Sequence, residues 1–184
     1  HLTGDAAGAD DIVQETLLIL IWGDETTRHV ITEGALALLE RPDQLELLRG
    51  YPASVPAGVE ELLRWVSPVK NMARTVTTDV EVRGQHLREG DQLILFYPSA
   101  NRDEDVFAAA DRLDVTRDPN PHIAFGGGPH RCIGNPPARM GLSILLEDLA
   151  RKVESFHPAG DVAHLESNFL NGITRLPVTM LPAG

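Results

Sequence analysis

The hydrophobic positions of the chain fall into a few periodic runs separated by proline- and glycine-rich stretches, and the first run is the most apolar. Asp11 with Gln14 three residues on resembles a capping box, and no proline interrupts the chain from there to Pro42. At 1.5 Å per residue this predicts a helix of roughly 45 Å. Its first half, Ile12-Val13 and Leu17 to Trp22, is apolar nearly all round, which marks a central helix buried on every side. The pattern breaks at Gly23-Asp24-Glu25-Thr26-Thr27-Arg28-His29. Polar groups inside a buried helix are costly unless satisfied, and glycine beside threonine can bend or open the backbone ladder. Apolar residues then resume at Val30-Ile31 and from Leu36 to Leu39.

Downstream, Pro42 opens a short helix over Asp43 to Arg49, Tyr51-Pro52 and Pro56 form a connection, and a further helix runs from Ala57 through Trp65. Thr75 to Val82 and Gln92 to Tyr97, with Gly84 as a turn, read as strands of a small sheet. Ser99 to Asp103 begins a short polar helix, and an Asp/Asn/Pro-rich meander follows to Pro121. Ala138 to Val153 has helical spacing and is expected to pack on the central helix, with Pro136-Pro137 in its first turn. Leu176 to Met180 reads as a terminal strand. The expected fold class is mainly α with a small β-sheet, an α+β arrangement.

Composition narrows the function. With 184 residues, 42% of them hydrophobic, the chain carries one ordinary domain's worth of core. Sixteen basic against 27 acidic residues give a net charge of −11, which disfavours nucleic acid and anionic membrane as partners. The longest apolar run, Leu17 to Trp22, is too short for a membrane span. The single cysteine excludes an internal disulfide, and the expected location is cytoplasmic.

That cysteine, Cys132, lies in Phe125-Gly126-Gly127-Gly128-Pro129-His130-Arg131-Cys132-Ile133-Gly134. A lone cysteine is most often a small core hydrophobe. Here, however, His130, Arg131 and the start of a helix just downstream favour an anionic thiolate. Without a second cysteine, the chain alone cannot build a closed four-thiolate site. What is left for a metal is a single axial bond to an iron already held by something else. The glycines do not form a nucleotide-binding pattern, since no Gly-x-Gly-x-x-Gly is present.

The order Phe-Gly-x-Gly-x-His-x-Cys-x-Gly, followed by Ala138-Arg139, resembles the haem-binding loop of the cytochrome P450 family. The resemblance implies that Cys132 ligates the iron of haem b, with Phe125 in the cofactor loop. It also implies that Arg74, His122 and His130 meet the haem propionates. Trp22 to Thr27 resembles the family's oxygen-activation motif, so that Glu25 is the acid and Thr26 the alcohol that relay protons to dioxygen. Trp22 departs from the small residue usual there and is expected to narrow the pocket or to move the kink, and Met140 replaces a glutamate many relatives carry. Glu61-x-x-Arg64 reads on spacing alone as a surface ion pair. By resemblance it is a structural network, with Arg112 the candidate third partner. Phe169 to Ile173 resembles the family's final pocket-lining turn.

The resemblance covers residues 1–184 as one partial domain, the carboxy-terminal part of the cytochrome P450 fold, with the amino-terminal half absent. It implies a monooxygenase inserting one atom of O2 into a hydrophobic substrate, with electrons from a ferredoxin or flavoprotein. Pro68-Val69-Lys70-Asn71-Met72 resembles actinobacterial members that oxidise sterol side chains. The alternative is a truncated, inactive remnant that binds haem weakly or not at all.

Overall fold

A computed structural model describes residues 25–182. The first half of the expected central helix, its capping box and Trp22 lie outside these residues. The first described element, α1, covers 25–40, so the polar motif from Glu25 to His29 is helical and does not interrupt the helix there. Its inward side carries His29, Val30, Ala37 and Leu38, all buried.

Helix α2 spans Pro42–Gly50 with proline in its first turn. A single 3-10 turn, Pro52–Ser54, leads directly into α3, Val55–Val66. Pro56 thus stands inside the first turn of α3 and not in the connection, because a proline there gives up an amide that would have no helical partner anyway. Helix α3 ends at Ser67, whose φ of 44° is left-handed.

The strands differ from expectation at several points. Strand β1 spans Asn71–Thr75, starting four residues earlier than its pattern suggests, and pairs antiparallel with β4, Gln92–Phe96. Between them β2, Val80–Val82, and β3, Gln85–Leu87, form a hairpin through Arg83-Gly84. The short helix α4 begins at once, Tyr97–Ala100. After the irregular meander and a 3-10 turn at Gly128–His130 comes α5, Asn135–Lys152, with both prolines in its first turn. Strand β5, Val153–Pro158, was not expected. It exists because β8, Val178–Pro182, supplies the partner edge, and its Phe156 turns into the core. Strands β6, Ala163–His164, and β7, Ile173–Arg175, close a last hairpin.

One apolar core joins these elements. Val30 and Leu38 of α1, Leu48 of α2, Val59 and Leu63 of α3, Val115 of the meander and Leu142 and Leu146 of α5 belong to it. Helix α5 packs on α2 and α3 and shares this core with α1. None of the described helices is long and apolar enough to cross a membrane.

Inside this core sits a fully buried ion pair. Arg64 holds Glu61 through two hydrogen bonds, Nε to Oε2 at 2.7 Å and Nη2 to Oε1 at 2.8 Å, with both side chains at 0% exposure. The other three N–H groups of Arg64 donate to the carbonyls of Asn101 (2.7 Å), Ala110 (2.9 Å) and Arg112 (3.0 Å). All five guanidinium donors are therefore used. Glu61 in turn accepts the amide of Asp114 at 2.8 Å, Arg117 Nε at 3.1 Å and Asn120 Nδ2 at 3.0 Å. The third charged partner is thus Arg117, not Arg112, which contributes only its backbone carbonyl.

Because a lysine offers three donors from one point in place of a planar fork, Arg64→Lys leaves buried carbonyls and part of the Glu61 carboxylate unmatched. Breaking such a buried pair costs about 3–5 kcal/mol. Urea unfolding followed by circular dichroism should show a loss in that range, whereas a loss below about 1 kcal/mol would mean the network does not organise the fold.

Candidate functional site

The loop that carries Cys132 closes on itself. Gly126 and Gly128 have φ values of 68° and 63°, and a Cβ at Gly126 would lie 3.2 Å from the hydroxyl oxygen of Tyr97, so the turn needs glycine there on both counts. The Arg131 amide donates to the Gly128 carbonyl at 3.1 Å, and the Cys132 amide donates to the Phe125 carbonyl at 2.9 Å. Asn135, first residue of α5, donates its side-chain amide to the Cys132 carbonyl at 2.8 Å. The backbone on both sides of Cys132 is fixed, and the thiol is exposed and free.

That thiol opens onto a cavity of about 470 Å³. Helix α1 lines it with Thr26, Thr27 and Val30, and the segment after α3 with Pro68, Val69, Met72 and Arg74. The loop contributes Phe125, His130 and Cys132, and α5 contributes Ala138 and Leu142. The residues expected from sequence at Thr26, Arg74, Phe125, His130 and Cys132 are therefore brought together around one space. Among the described residues, the Arg74 guanidinium bonds only the Ala73 carbonyl, at 2.8 Å. Its remaining donors are free for a ligand carboxylate.

Two expected residues are placed elsewhere. Glu25 is exposed and pairs with Arg28 at 2.6 Å. His122 does not line the cavity, because both of its ring nitrogens are engaged. Nδ1 accepts the Ala124 amide at 3.2 Å, which leaves Nε2 to donate to Glu60 Oε2 at 2.9 Å. With its side chain only 2% exposed, His122 has no donor left for a propionate. The Phe169 to Ile173 turn is hydrogen-bonded to the Pro68–Lys70 segment and is not among the described lining residues.

Glu60 is the anchor that sequence reasoning missed. Arg139 of α5 grips it with Nε to Oε1 at 2.6 Å and Nη2 to Oε2 at 2.7 Å, and reaches Asn135 Oδ1 at 2.8 Å. The same guanidinium lies 4.6 Å from the centre of the Phe125 ring, a cation–π contact. Glu60 thus joins α3 to both the start of the loop, through His122, and the helix after it, through Arg139. Partial burial alone would raise the Glu60 carboxyl, but the hydrogen bonds and charges of Arg139 and His122 outweigh it and hold the group at about 2. The only advance signal was Arg139 in the Cys132 motif, and its partner carried none.

Asn101, fully buried, was also missed. It bonds Ser67 Oγ through Nδ2 and accepts the Ile123 amide at Oδ1, both at 2.8 Å, and so fixes the entry to the loop from α3 and α4.

The donor set suits a metal that brings its own ligands. No group of three or more His, Cys, Asp or Glu side chains that could hold a metal ion exists among the described residues. An iron bound by Cys132 would need further ligands from a flat macrocycle, and the cavity offers apolar walls with two cationic or donor groups, Arg74 and His130, for its acidic substituents.

Comparison with known proteins agrees with this chemistry. The family model described as "Cytochrome P450" matches residues 55–178. The chain is 43% identical over 186 residues to a "Steroid C26-monooxygenase" of Mycobacterium tuberculosis (strain CDC 1551 / Oshkosh), covering 100% of this chain and 50% of that protein. It is 39% identical to "Linalool 8-monooxygenase" of Pseudomonas putida, covering 99% of this chain and 45% of that protein. Among solved structures, Cytochrome P450-153 from Novosphingobium aromaticivorans superposes with a TM-score of 0.84 at 40% identity, over 90% of this chain and 42% of that one. The chain spans about half the length of the curated relatives it matches.

The Glu60 anchor has a defined pH signature. Its carboxyl titrates near 2 in the fold against an ordinary value of 4.5, so its stabilising effect is complete above about 4.5 and is lost as the pH falls toward 2. Glu60→Gln should lower stability at neutral pH by on the order of 3 kcal/mol and flatten the fall in stability between those limits. Unfolding midpoints measured at a series of pH values check this. Parallel acid profiles for the two proteins would contradict it.

Proposed function

The chain belongs to the cytochrome P450 family, and we propose that it forms the iron- and oxygen-handling part of a haem-thiolate monooxygenase. The observation that carries this reading is the free Cys132 thiol on a cavity that α1 also lines with Thr26. The reaction inserts one atom of O2 into a hydrophobic substrate, and the substrate class proposed is a steroid or sterol side chain. The 43% identity to a protein named steroid C26-monooxygenase supports that class. So does the likeness to CYP109E1 from Bacillus megaterium, solved with corticosterone, with a TM-score of 0.85 at 33% identity over 92% of this chain and 46% of that one.

Each residue then has a physical task. Cys132 would hold the iron through its thiolate, with the Phe125 carbonyl and Asn135 fixing the backbone that presents it. Arg74 and His130 would bind the propionate carboxylates, where charge-assisted hydrogen bonds are strong. When bound, haem would supply the redox chemistry that activates O2. Thr26 would hold a proton at its hydroxyl on the cavity wall, and Glu25, exposed and adjacent in sequence, would exchange protons with solvent. Pro68, Val69 and Met72 would exclude water from the reacting region. Electrons would come from a ferredoxin or flavoprotein meeting the exposed Cys132 side, in the cytoplasm.

A second reading is that this chain alone binds haem weakly or not at all. The exposed apolar side of the Cys132 loop and α5 favours it, with Ile133 80%, Met140 64% and Ile144 56% exposed.

The absorbance of the reduced, carbon-monoxide-bound protein decides between the two. The first reading expects a Soret band at the thiolate-ligated position in the wild type and its loss in Cys132→Ala. Absence of haem uptake by the wild type supports the second.

A further inference from the structure

His29 is 3% exposed, and neither of its ring nitrogens has a hydrogen-bond partner among the described residues. Unsatisfied buried polar atoms cost stability and are rare. Burial, followed by the neighbouring Arg28 charge, pushes the imidazole below its ordinary value, against the opposing pull of Glu25 and Glu33. Near neutral pH the ring is thus an uncharged wedge, held by shape alone.

The wedge rests on Gly172. A Cβ built there would lie 2.1 Å from His29 Nδ1 and 2.5 Å from Cε1 and Cγ, so only glycine lets the chain pass this close. Gly172 belongs to a turn tied to the segment after α3. The Asn171 amide donates to the Pro68 carbonyl and its side chain to the Val66 carbonyl, both at 2.8 Å, while the Lys70 amide donates to the Phe169 carbonyl at 2.8 Å. Pro68 and Val69 line the cavity from that segment, whereas Thr26 and Val30, on either side of His29 in sequence, line it from α1. The His29–Gly172 contact is therefore the mechanical link between two walls of the same space.

We propose that His29 and Gly172 act as a spacer that sets the separation of these two cavity walls and thereby selects the width of hydrophobic substrate admitted, fused-ring over slender linear. This rests on the monooxygenase reading for its substrate, but the spacer itself is a property of the fold. Both are positioning residues: they act through Pro68, Val69 and α1.

A double-mutant cycle on the haem-loaded full chain tests it, with affinities for testosterone and hexadec-9Z-enoic acid read from the haem spin-state absorbance change. Gly172→Ala should push the walls apart and raise the preference for testosterone by about tenfold, and His29→Ala should lower it, as one methyl group commonly does in an apolar pocket. The double variant should return to within about threefold of the wild type, because removing the ring makes room for the new methyl. His29→Phe should shift the preference in the same direction as Gly172→Ala, and it stands in for that variant if the latter does not fold. A preference left unchanged in His29→Phe, or a double variant that keeps the full shift of either single variant, overturns the proposal.

Amide hydrogen exchange of residues 66–73 and 167–173 in the haem-free protein provides a separate readout. Exchange should speed up in each single variant and recover in the double variant. If the wild type takes up no haem, the monooxygenase reading fails and the spacer is judged by exchange alone. Exchange unchanged in both single variants overturns it.

Discussion

Two opposite charges, Glu61 and Arg64, lie fully out of water on α3, and the structure around them is arranged to satisfy both. Removing such groups from solvent costs several kcal/mol each, and their mutual attraction offsets this only when the remaining hydrogen-bonding capacity is also met. A surface pair could tolerate loose surroundings. This one cannot, and its demands reach far along the chain, to the carbonyls of Asn101, Ala110 and Arg112, the amide of Asp114 and the side chains of Arg117 and Asn120. These groups lie in the stretch between α4 and the Cys132 loop, which has almost no regular secondary structure to satisfy its own backbone. The pair on α3 takes the place of a sheet or helix there, giving an irregular meander defined partners.

The consequence for the site follows through Asn101 and Glu60. Asn101 accepts the Ile123 amide at the entrance to the loop, and Glu60, one residue before Glu61, binds His122 and Arg139 on either side of it. Adjacent residues on one helix thus serve two layers: Glu61 points into the meander and Glu60 holds the loop. The thiol of Cys132 needs no direct contact with α3 to be positioned by it, because the segments that flank it are anchored there.

Much of this was legible in the sequence where a local rule and a short motif coincide. Pro42, the Pro136-Pro137 pair and the helical spacing of Leu142 and Leu146 mark helices by steric and packing rules that act within a few residues. The Cys132 loop carries its own turn chemistry, and five of the seven residues expected at the site do gather at one cavity. What could not be read depends on partners distant in sequence. Strand β5 is defined by β8, more than twenty residues on, and its own run Val153 to Pro158 has no strong strand pattern. Arg112 is the candidate by resemblance and Arg117 the charged partner in the fold, because a short motif gives no measure of which side chain a meander turns inward. The resemblance implies a propionate contact for His122, whereas Glu60, sixty-two positions away, takes its ring.

The same distinction explains why the ionic and apolar parts of the site behave differently. Charged anchors such as Glu60–Arg139 fix position through direction and distance, so each has a small set of partners and a sharp geometry. The cavity walls are set by contact alone: Val30, Pro68, Val69 and Met72 have no directional bond to one another, and their spacing is whatever the elements behind them allow. Where such a wall must be placed accurately, the available device is a rigid body wedged between backbones. An imidazole without hydrogen bonds among the described residues, pressed on a residue with no side chain, meets that need at a cost in stability that a leucine core would avoid. The ionic anchors hold the Cys132 side of the cavity at a fixed place, and the width left on the other side rests on packing, which single methyl groups are large enough to change.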